Sequence, residues 1–102
     1  MITMISSQEN NTSSLMDSRF GRAKWFCIYN DENKSTSFVE NPHSEAQGGA
    51  GVKTSEMIIE LGAKKVISGH YGPKAKELLD KFNIEQIEMH EEKSIETIIN
   101  NI

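Results

Sequence analysis

The second half of the sequence alternates between strand-like and helix-like segments, and this alternation constrains the fold more than any other feature. Short apolar runs predict strands at Lys65–Ser68 and Ile84–Met89. One helix is predicted to end at Gly62, and another to run from Pro73 to about Phe82. Strands joined through a helix run parallel with right-handed crossovers, so the pattern predicts a parallel α/β unit. The residues expected to face the core are Val52, Met57, Ile58 and Leu61 in the first helix and Ala75, Leu78, Leu79 and Phe82 in the second.

The first half of the sequence has three strand-like segments with no helix between them. They lie at Ile2–Ile5, Trp25–Tyr29 and Thr36–Glu40, and the turn at 30–34 makes the last two a hairpin. Together the two halves predict a single α/β domain over residues 1–102, with a five-stranded mixed sheet and flanking helices. We expect the order β-β-β-α-β-α-β-α and a ribonuclease H-like topology. The last helix is predicted to follow a cap at Ser94 and to carry Ile95, Ile98, Ile99 and Ile102.

Charge and composition argue against several classes of function. The chain carries 15 acidic and 11 basic residues, a net charge of −4, and no dense basic cluster, which argues against a nucleic-acid partner. The single cysteine, Cys27, excludes an intramolecular disulfide. The sequence shows no signal peptide and no apolar run of the ~20 residues that a membrane helix needs. We therefore expect a cytoplasmic protein without a membrane partner, either a monomer or a weak homodimer.

Strand direction predicts where a ligand site lies. If the first strand points up, the loops 7–24, 41–50, 69–72 and 90–93 all collect at the top edge of the sheet, where ligands of open α/β sheets bind. Two helices also begin there, and their free N–H groups favour an anion, although glycine-rich helix entrances also serve simply as tight turns. The edge would collect three histidines, two glycine-rich turns and two arginines: His43, His70, His90, residues 48–51, residues 69–72, Arg19 and Arg22.

Three motifs resemble a known family. Ser-Arg-Phe-Gly-Arg-Ala at 18–23, Gly-Gly-Ala-Gly at 48–51 and Gly-His-Tyr-Gly-Pro-Lys-Ala at 69–75 occur in the order and spacing of the dinitrogenase iron-molybdenum cofactor family. The residues Glu-Asn-Pro at 40–42 also fit, so the resemblance covers nearly the whole chain. It implies the ribonuclease H-like fold reached above. It further implies a non-catalytic binding or carrier protein for an iron-sulfur or iron-molybdenum cluster, with metallocluster-assembly proteins as partners and a link to nitrogen fixation.

By position, the resemblance also implies which residues frame the cluster site. The frame consists of two arginines, six glycines and one proline: Arg19, Gly21, Arg22, Gly48, Gly49, Gly51, Gly69, Gly72 and Pro73. His70 departs from the family pattern, which often has an amide or a small residue there. That departure indicates either a metal ligand or a local variation.

Several of these residues have an ordinary structural interpretation beside the functional one. Cys27 alternates with aromatic residues in a strand, so a buried structural thiol is favoured over an iron ligand. His43 and His70 are metal-ligand candidates because imidazole suits iron, yet an exposed loop histidine is the more common case for each. Arg19 and Arg22 either hold an anionic cargo or pair with carboxylates such as Asp17.

Enzyme activity is not expected. The first and fourth strands lack the carboxylates that a two-metal nuclease needs. The segment 48–54 lacks the spacing of a phosphate-binding P-loop. The alternative to a cluster carrier is a protein-interaction or regulatory module of the same fold without a metal. A third hypothesis is a small-molecule phosphate-binding protein.

Overall fold

The computed structural model describes residues 1–102 and contains five strands and three helices in the predicted order. No helix in the chain is both long enough and apolar enough to span a membrane. The elements are β1 (Ile2–Ser7), β2 (Trp25–Asn30), β3 (Ser35–Glu40), α1 (Ala50–Glu60), β4 (Ala63–Ser68), α2 (Pro73–Lys81), β5 (Glu85–Glu88) and α3 (Ile95–Asn100).

The five strands form one mixed sheet in the order β3-β2-β1-β4-β5. β1 lies at the centre, antiparallel to β2 and parallel to β4, while β2 pairs antiparallel with β3 and β4 pairs parallel with β5. The α/β class and the five-stranded mixed sheet are therefore confirmed. The ribonuclease H-like assignment stays a prediction.

Helices cover both faces of the sheet. Successive side chains of each strand point to opposite faces, so each strand can contribute to a core on either side. Met4 and Val66 belong to a core under α1 and α2, which contribute Ile58 and Leu79. The residue after each of those strand positions, Ile5 and Ile67, belongs to a second core under α3, which contributes Ile95 and Ile98. In β1 and β4, unlike the other strands, the last three residues are all buried.

The buried face of α1 differs from the predicted one. Ala50, Thr54, Ser55 and Ile58 are buried, whereas Leu61, predicted to face the core, is 39% exposed. Small polar residues fit here because their hydroxyls find partners inside the structure: Thr54 Oγ1 lies 3.1 Å from Asn41 Nδ2, and Ser55 Oγ donates to Gly51 O. Apolar periodicity misses such a face since it counts only hydrophobic residues.

Two further apolar residues, one predicted to face the core and one predicted to belong to the last helix, lie at the surface. Phe82 is 49% exposed and Ile102 is 51% exposed. Each follows the end of its helix, α2 at Lys81 and α3 at Asn100, so the helical spacing no longer directs its side chain inward. The expected inward positions Ala75 and Leu79 are buried, in agreement with the prediction.

Candidate functional site

A pocket of about 440 Å³ opens where the loop after β1 meets the N-termini of α1 and α2. Three short segments build it: residues 19–22 from the loop, residues 49–52 at the start of α1, and residues 70–75 at the turn into α2. Six of the eight glycines and arginines predicted to frame a site line it, together with one predicted metal ligand: Arg19, Gly21, Arg22, Gly49, Gly51, Gly72 and His70.

The loop segment is attached to the end of β4 like a short extra strand. His70 N donates to Ser18 O at 2.6 Å, and Phe20 N donates to His70 O at 3.0 Å. A Cβ on Gly69 would lie 2.4 Å from Ser18 O, so only glycine allows this approach. Gly69 therefore supports the pocket from behind and does not line it.

A second glycine contact brings the same loop against α1. A Cβ on Gly21 would lie 2.8 Å from the backbone N of Gly51 and 2.9 Å from its Cα. Backbone atoms cannot move aside as a flexible side chain can. Gly21 is thus required for the wall of the pocket where loop and helix meet.

Both helix N-termini at the pocket lack a side-chain cap. α1 follows Gly49 (φ 69°, ψ 20°), and α2 follows Gly72 (φ 79°, ψ 153°), a conformation that is essentially restricted to glycine. Neither first turn contains an acidic residue. The N–H groups of the first turns therefore stay available, although Pro73 at the start of α2 has none, and each helix N-terminus carries a partial positive charge.

The charged side chains of the pocket are all basic. Arg19, Arg22 and Lys74 line it with His70, and no carboxylate belongs to the lining. Arg19 is engaged with the buried Asp17, through Nε–Oδ1 at 3.1 Å and Nη2–Oδ2 at 3.0 Å, and these hydrogen bonds raise the pKa of Arg19. Such a bidentate pair fixes the direction of the guanidinium.

Arg22 and Lys74 differ in how much they are held. Arg22 Nη1 donates to the carbonyl oxygens of Ser44 and Ala46, so this arginine fastens the loop between β3 and α1. Lys74 takes part in none of the ion pairs of the structure, and its ammonium group stands free at the start of α2. The pocket therefore offers one mobile cation beside two positioned ones.

The structure does not bring the other predicted residues into this pocket. His43 lies in a separate depression with Lys53 and Glu56, away from His70. His90 Nε2 lies 2.9 Å from a carboxylate oxygen of Glu88 at the surface. The chain contains no group of three or more His, Cys, Asp or Glu side chains arranged to hold a metal ion. The structure therefore places the two candidate metal ligands, His43 and His70, in separate depressions and does not bring them together.

Cys27 is a buried thiol in the middle of the sheet, as predicted. Its side chain belongs to the core under α3 and is fully inaccessible. Burial raises the pKa of the thiol to about 12, because the thiolate would lose its hydration. The neutral thiol is a poor metal ligand, so Cys27 has no part in the pocket.

Sequence reasoning missed three residues that shape the pocket. Phe20 and Tyr71 stack behind it with ring centroids 5.1 Å apart, and the Tyr71 hydroxyl donates to the carbonyl oxygens of Val66 and Ile87. Lys74 supplies the free cation. Tyr71 and Lys74 both lie inside the 69–75 motif. The prediction drew on the glycines, the proline and His70 of that motif and left these two residues out.

Several solved structures are similar to the structure of this chain. The apo form of the orange protein from Desulfovibrio gigas superposes with a TM-score of 0.92 at 23% identity, covering 98% of this chain and 84% of that one. An NMR structure from Thermotoga, of a candidate NifB protein in the DUF35 family, superposes with a TM-score of 0.83 at 27% identity, covering 97% and 84%. At these identities the orange protein supports the fold alone.

A sequence comparison with curated proteins finds no match. The family comparison, in contrast, covers the whole chain, including the three motifs that build the pocket. The resemblance drawn from those motifs is thereby confirmed. The chain belongs to the dinitrogenase iron-molybdenum cofactor family, whose model matches it over residues 1–102.

Proposed function

We propose that this protein is a non-catalytic carrier that binds an anionic metal–sulfur cluster, of the iron-sulfur or iron-molybdenum type, in the pocket between α1 and α2. The cluster is a cargo that metallocluster-assembly proteins deliver or collect. The observation that carries the proposal is the charge of the pocket: two uncapped helix N-termini and three basic side chains, with no carboxylate in the lining.

That arrangement favours an anion through several small contributions. A helix N-terminus stabilises a negative charge by about 0.3–1 kcal/mol when partly exposed. The pocket presents two of them within one opening, and the backbone approaches closely at Gly49, Gly51 and Gly72 because no side chain intervenes. Such a site recognises negative charge spread over a surface, which is how sulfide-rich clusters carry it.

The donor set of the pocket fits a cluster that brings its own ligands. A conventional iron-sulfur cluster is held by four cysteine thiolates, and this chain has one cysteine, which is buried elsewhere. His70 is the one side chain of the pocket with a ligand atom suited to iron. The protein would therefore hold a complete cluster through hydrogen bonds and charge, with His70 as an additional ligand.

The family gives further support, because it is described by the dinitrogenase iron-molybdenum cofactor. Release matters for a carrier, since a cargo bound without thiolate bonds leaves without breaking covalent links to the protein.

Anaerobic titration with tetrathiomolybdate, alone and with ferrous iron, tests the proposal by visible spectroscopy. We expect the visible absorption to change in a fixed ratio of bound probe to protein. Lys74→Gln, which removes the free cation of the pocket, should weaken binding about two- to fivefold, the effect of one partly exposed charge. The matched control is Lys64→Gln. It removes the same charge near the start of β4, at the opposite end of that strand from the pocket.

Two outcomes would contradict the proposal: no uptake by the wild-type protein, or equal affinities of the Lys74 and Lys64 variants. Arg19 is unsuited to this test because its removal leaves Asp17 buried without its partner.

A further inference from the structure

β3 is an edge strand of six residues whose one charged residue, Glu40, lies at its end. Its first five residues, Ser35–Val39, carry no charge and no proline, and Ser35–Ser37 are exposed. The opposite edge, β5, is only four residues long and begins and ends with glutamates. Glu88 at its end also pairs with Lys76 at 3.5 Å. Short length and charge prevent a sheet edge from pairing with another chain, so β5 is protected and β3 is not.

The hydrogen-bond pattern identifies the free backbone groups of β3. Asn41 N, just beyond the strand, donates to Lys24 O at 2.7 Å, so the N–H of residue 41 points toward β2. Backbone groups alternate in direction along a strand, which also points Ser35, Ser37 and Val39 toward β2. Thr36, Phe38 and Glu40 therefore direct their N–H and C=O groups to the open side of the sheet.

We propose that β3 pairs with β3 of a second copy of this chain, antiparallel and about a twofold axis at Phe38. The two sheets then form one continuous sheet of ten strands. In this register Phe38 lies opposite Phe38 of the second copy, and Thr36 lies opposite Glu40. Each of the three outward-directed residues exchanges both of its backbone hydrogen bonds with its counterpart, so no open N–H remains between them.

Side chains in this register are self-complementary. Phe38 is half-buried and packs on the core under α3 beside its sheet neighbour Cys27. Its counterpart would cover the remaining ring surface, an aromatic pair across strands. Lys34, in the turn just before β3, lies at the end of the strand that meets Glu40 of the second copy. A positive charge is thus near Glu40 on both sides of the twofold axis.

The contact leaves the cargo pocket open. None of the residues that line the pocket belongs to β3, so pairing neither blocks it nor depends on it. A dimer of this kind carries two independent pockets. Its test therefore needs no cargo, and its result is separate from that of the proposed function.

Sedimentation equilibrium from micromolar to millimolar protein, with amide hydrogen exchange by NMR, tests the pairing. We expect the mass to rise from one chain to two. The amides of Thr36, Phe38 and Glu40 should gain protection along with it, while Ser37 and Val39 are protected at every concentration. Thr36→Pro removes an outward N–H, which an edge strand tolerates, and should remain a monomer with unchanged protection in β1 and β2.

Thr36→Val is the matched control, because it changes the same side chain but keeps the N–H, and it should dimerise like the wild type. A chain that stays monomeric at millimolar concentration overturns the proposal. So does a dimer in which the three outward amides stay unprotected, or one that Thr36→Pro leaves intact.

Discussion

At the scale of single residues, the pocket depends on places where the chain comes too close for a side chain. Gly21 meets the backbone of Gly51, and Gly69 meets the backbone of Ser18. Gly48 stands apart from them, since a Cβ there would meet nothing within 4 Å. Glycines that look alike in the sequence therefore have different roles, and only contacts in three dimensions distinguish them.

Gly21→Ala should destabilise the protein by about 1–3 kcal/mol, the usual cost of forcing an extra methyl group into a packed site. The reason is the 2.8 Å separation between the new Cβ and Gly51 N. Gly48→Ala is the control and should leave stability unchanged or slightly raised. Urea denaturation of the two variants and the wild type measures the difference, and equal midpoints would contradict the contact.

Stability should fall at alkaline pH because of Cys27. In the unfolded chain the thiol releases its proton near its ordinary pKa of 9.0, whereas in the folded chain burial raises the pKa to about 12. Above pH 9.0 the unfolded state therefore binds fewer protons, and the free energy of unfolding decreases as pH rises toward 12. The slope for one such group approaches about 1.4 kcal/mol per pH unit.

Urea denaturation between about pH 8 and 11 measures that slope, near the ordinary thiol pKa. Cys27→Ala should be less stable at neutral pH but show a shallower decline. Some decline should remain, since burial also raises the pKa of Tyr71. An identical slope in the variant would show that the thiol is not responsible.

At the scale of elements, the order and type of every helix and strand could be predicted, because alternating apolar runs and helical spacing record which side of an element is buried. The buried face of α1 could not. That face includes Thr54 and Ser55, whose hydroxyls need hydrogen-bond partners when they are buried. Thr54 finds its partner in Asn41, outside the helix, and Ser55 finds its partner in the carbonyl oxygen of Gly51, within the helix. Polar residues gain a place in a core only through such partners, and a sequence does not display them.

The candidate site was predictable to a similar extent. Strand polarity correctly brought Arg19, Arg22 and His70 to one edge, because the carboxyl ends of β1 and β4 meet there. It did not place His43 in the same pocket, since strand direction fixes where a loop starts but not where a loop of nine residues goes. Whether the residues of this edge bind a cluster remains a prediction.

Arg22→Ala should loosen the loop between β3 and α1 without unfolding the protein. The guanidinium donates to the carbonyl oxygens of Ser44 and Ala46 and joins that loop to the pocket wall. NMR relaxation should show larger motion at residues 44–48, with unchanged signals in the sheet. Lys24→Ala removes a nearby exposed cation that makes no such bonds, and it should leave the loop as it is.

At the scale of the whole molecule, charge is distributed unevenly. The chain has a net charge of −4, yet the pocket has only basic residues among its charged lining. Any anion is therefore repelled by the protein as a whole and attracted by one opening. Such a distribution guides a negative ligand to that opening at short range.

Binding of tetrathiomolybdate should weaken as salt is added. The Debye length falls from about 10 Å at 0.1 M to about 3 Å at 1 M ionic strength, which screens the partly exposed charges of the pocket. Titrations over this range measure the effect, with potassium chloride as the added salt. An affinity that is independent of salt would indicate recognition through direct metal ligation by His70.

The central position of β1 has a consequence for how the chain folds during synthesis. Among the five strands of the sheet, β1 leaves the ribosome before the others, and its antiparallel neighbour β2 follows soon after, but its other neighbour is β4. At 5–20 residues per second, the gap of about sixty residues lasts roughly 3–12 s. For that time one edge of the most enclosed strand stays open in the nascent chain.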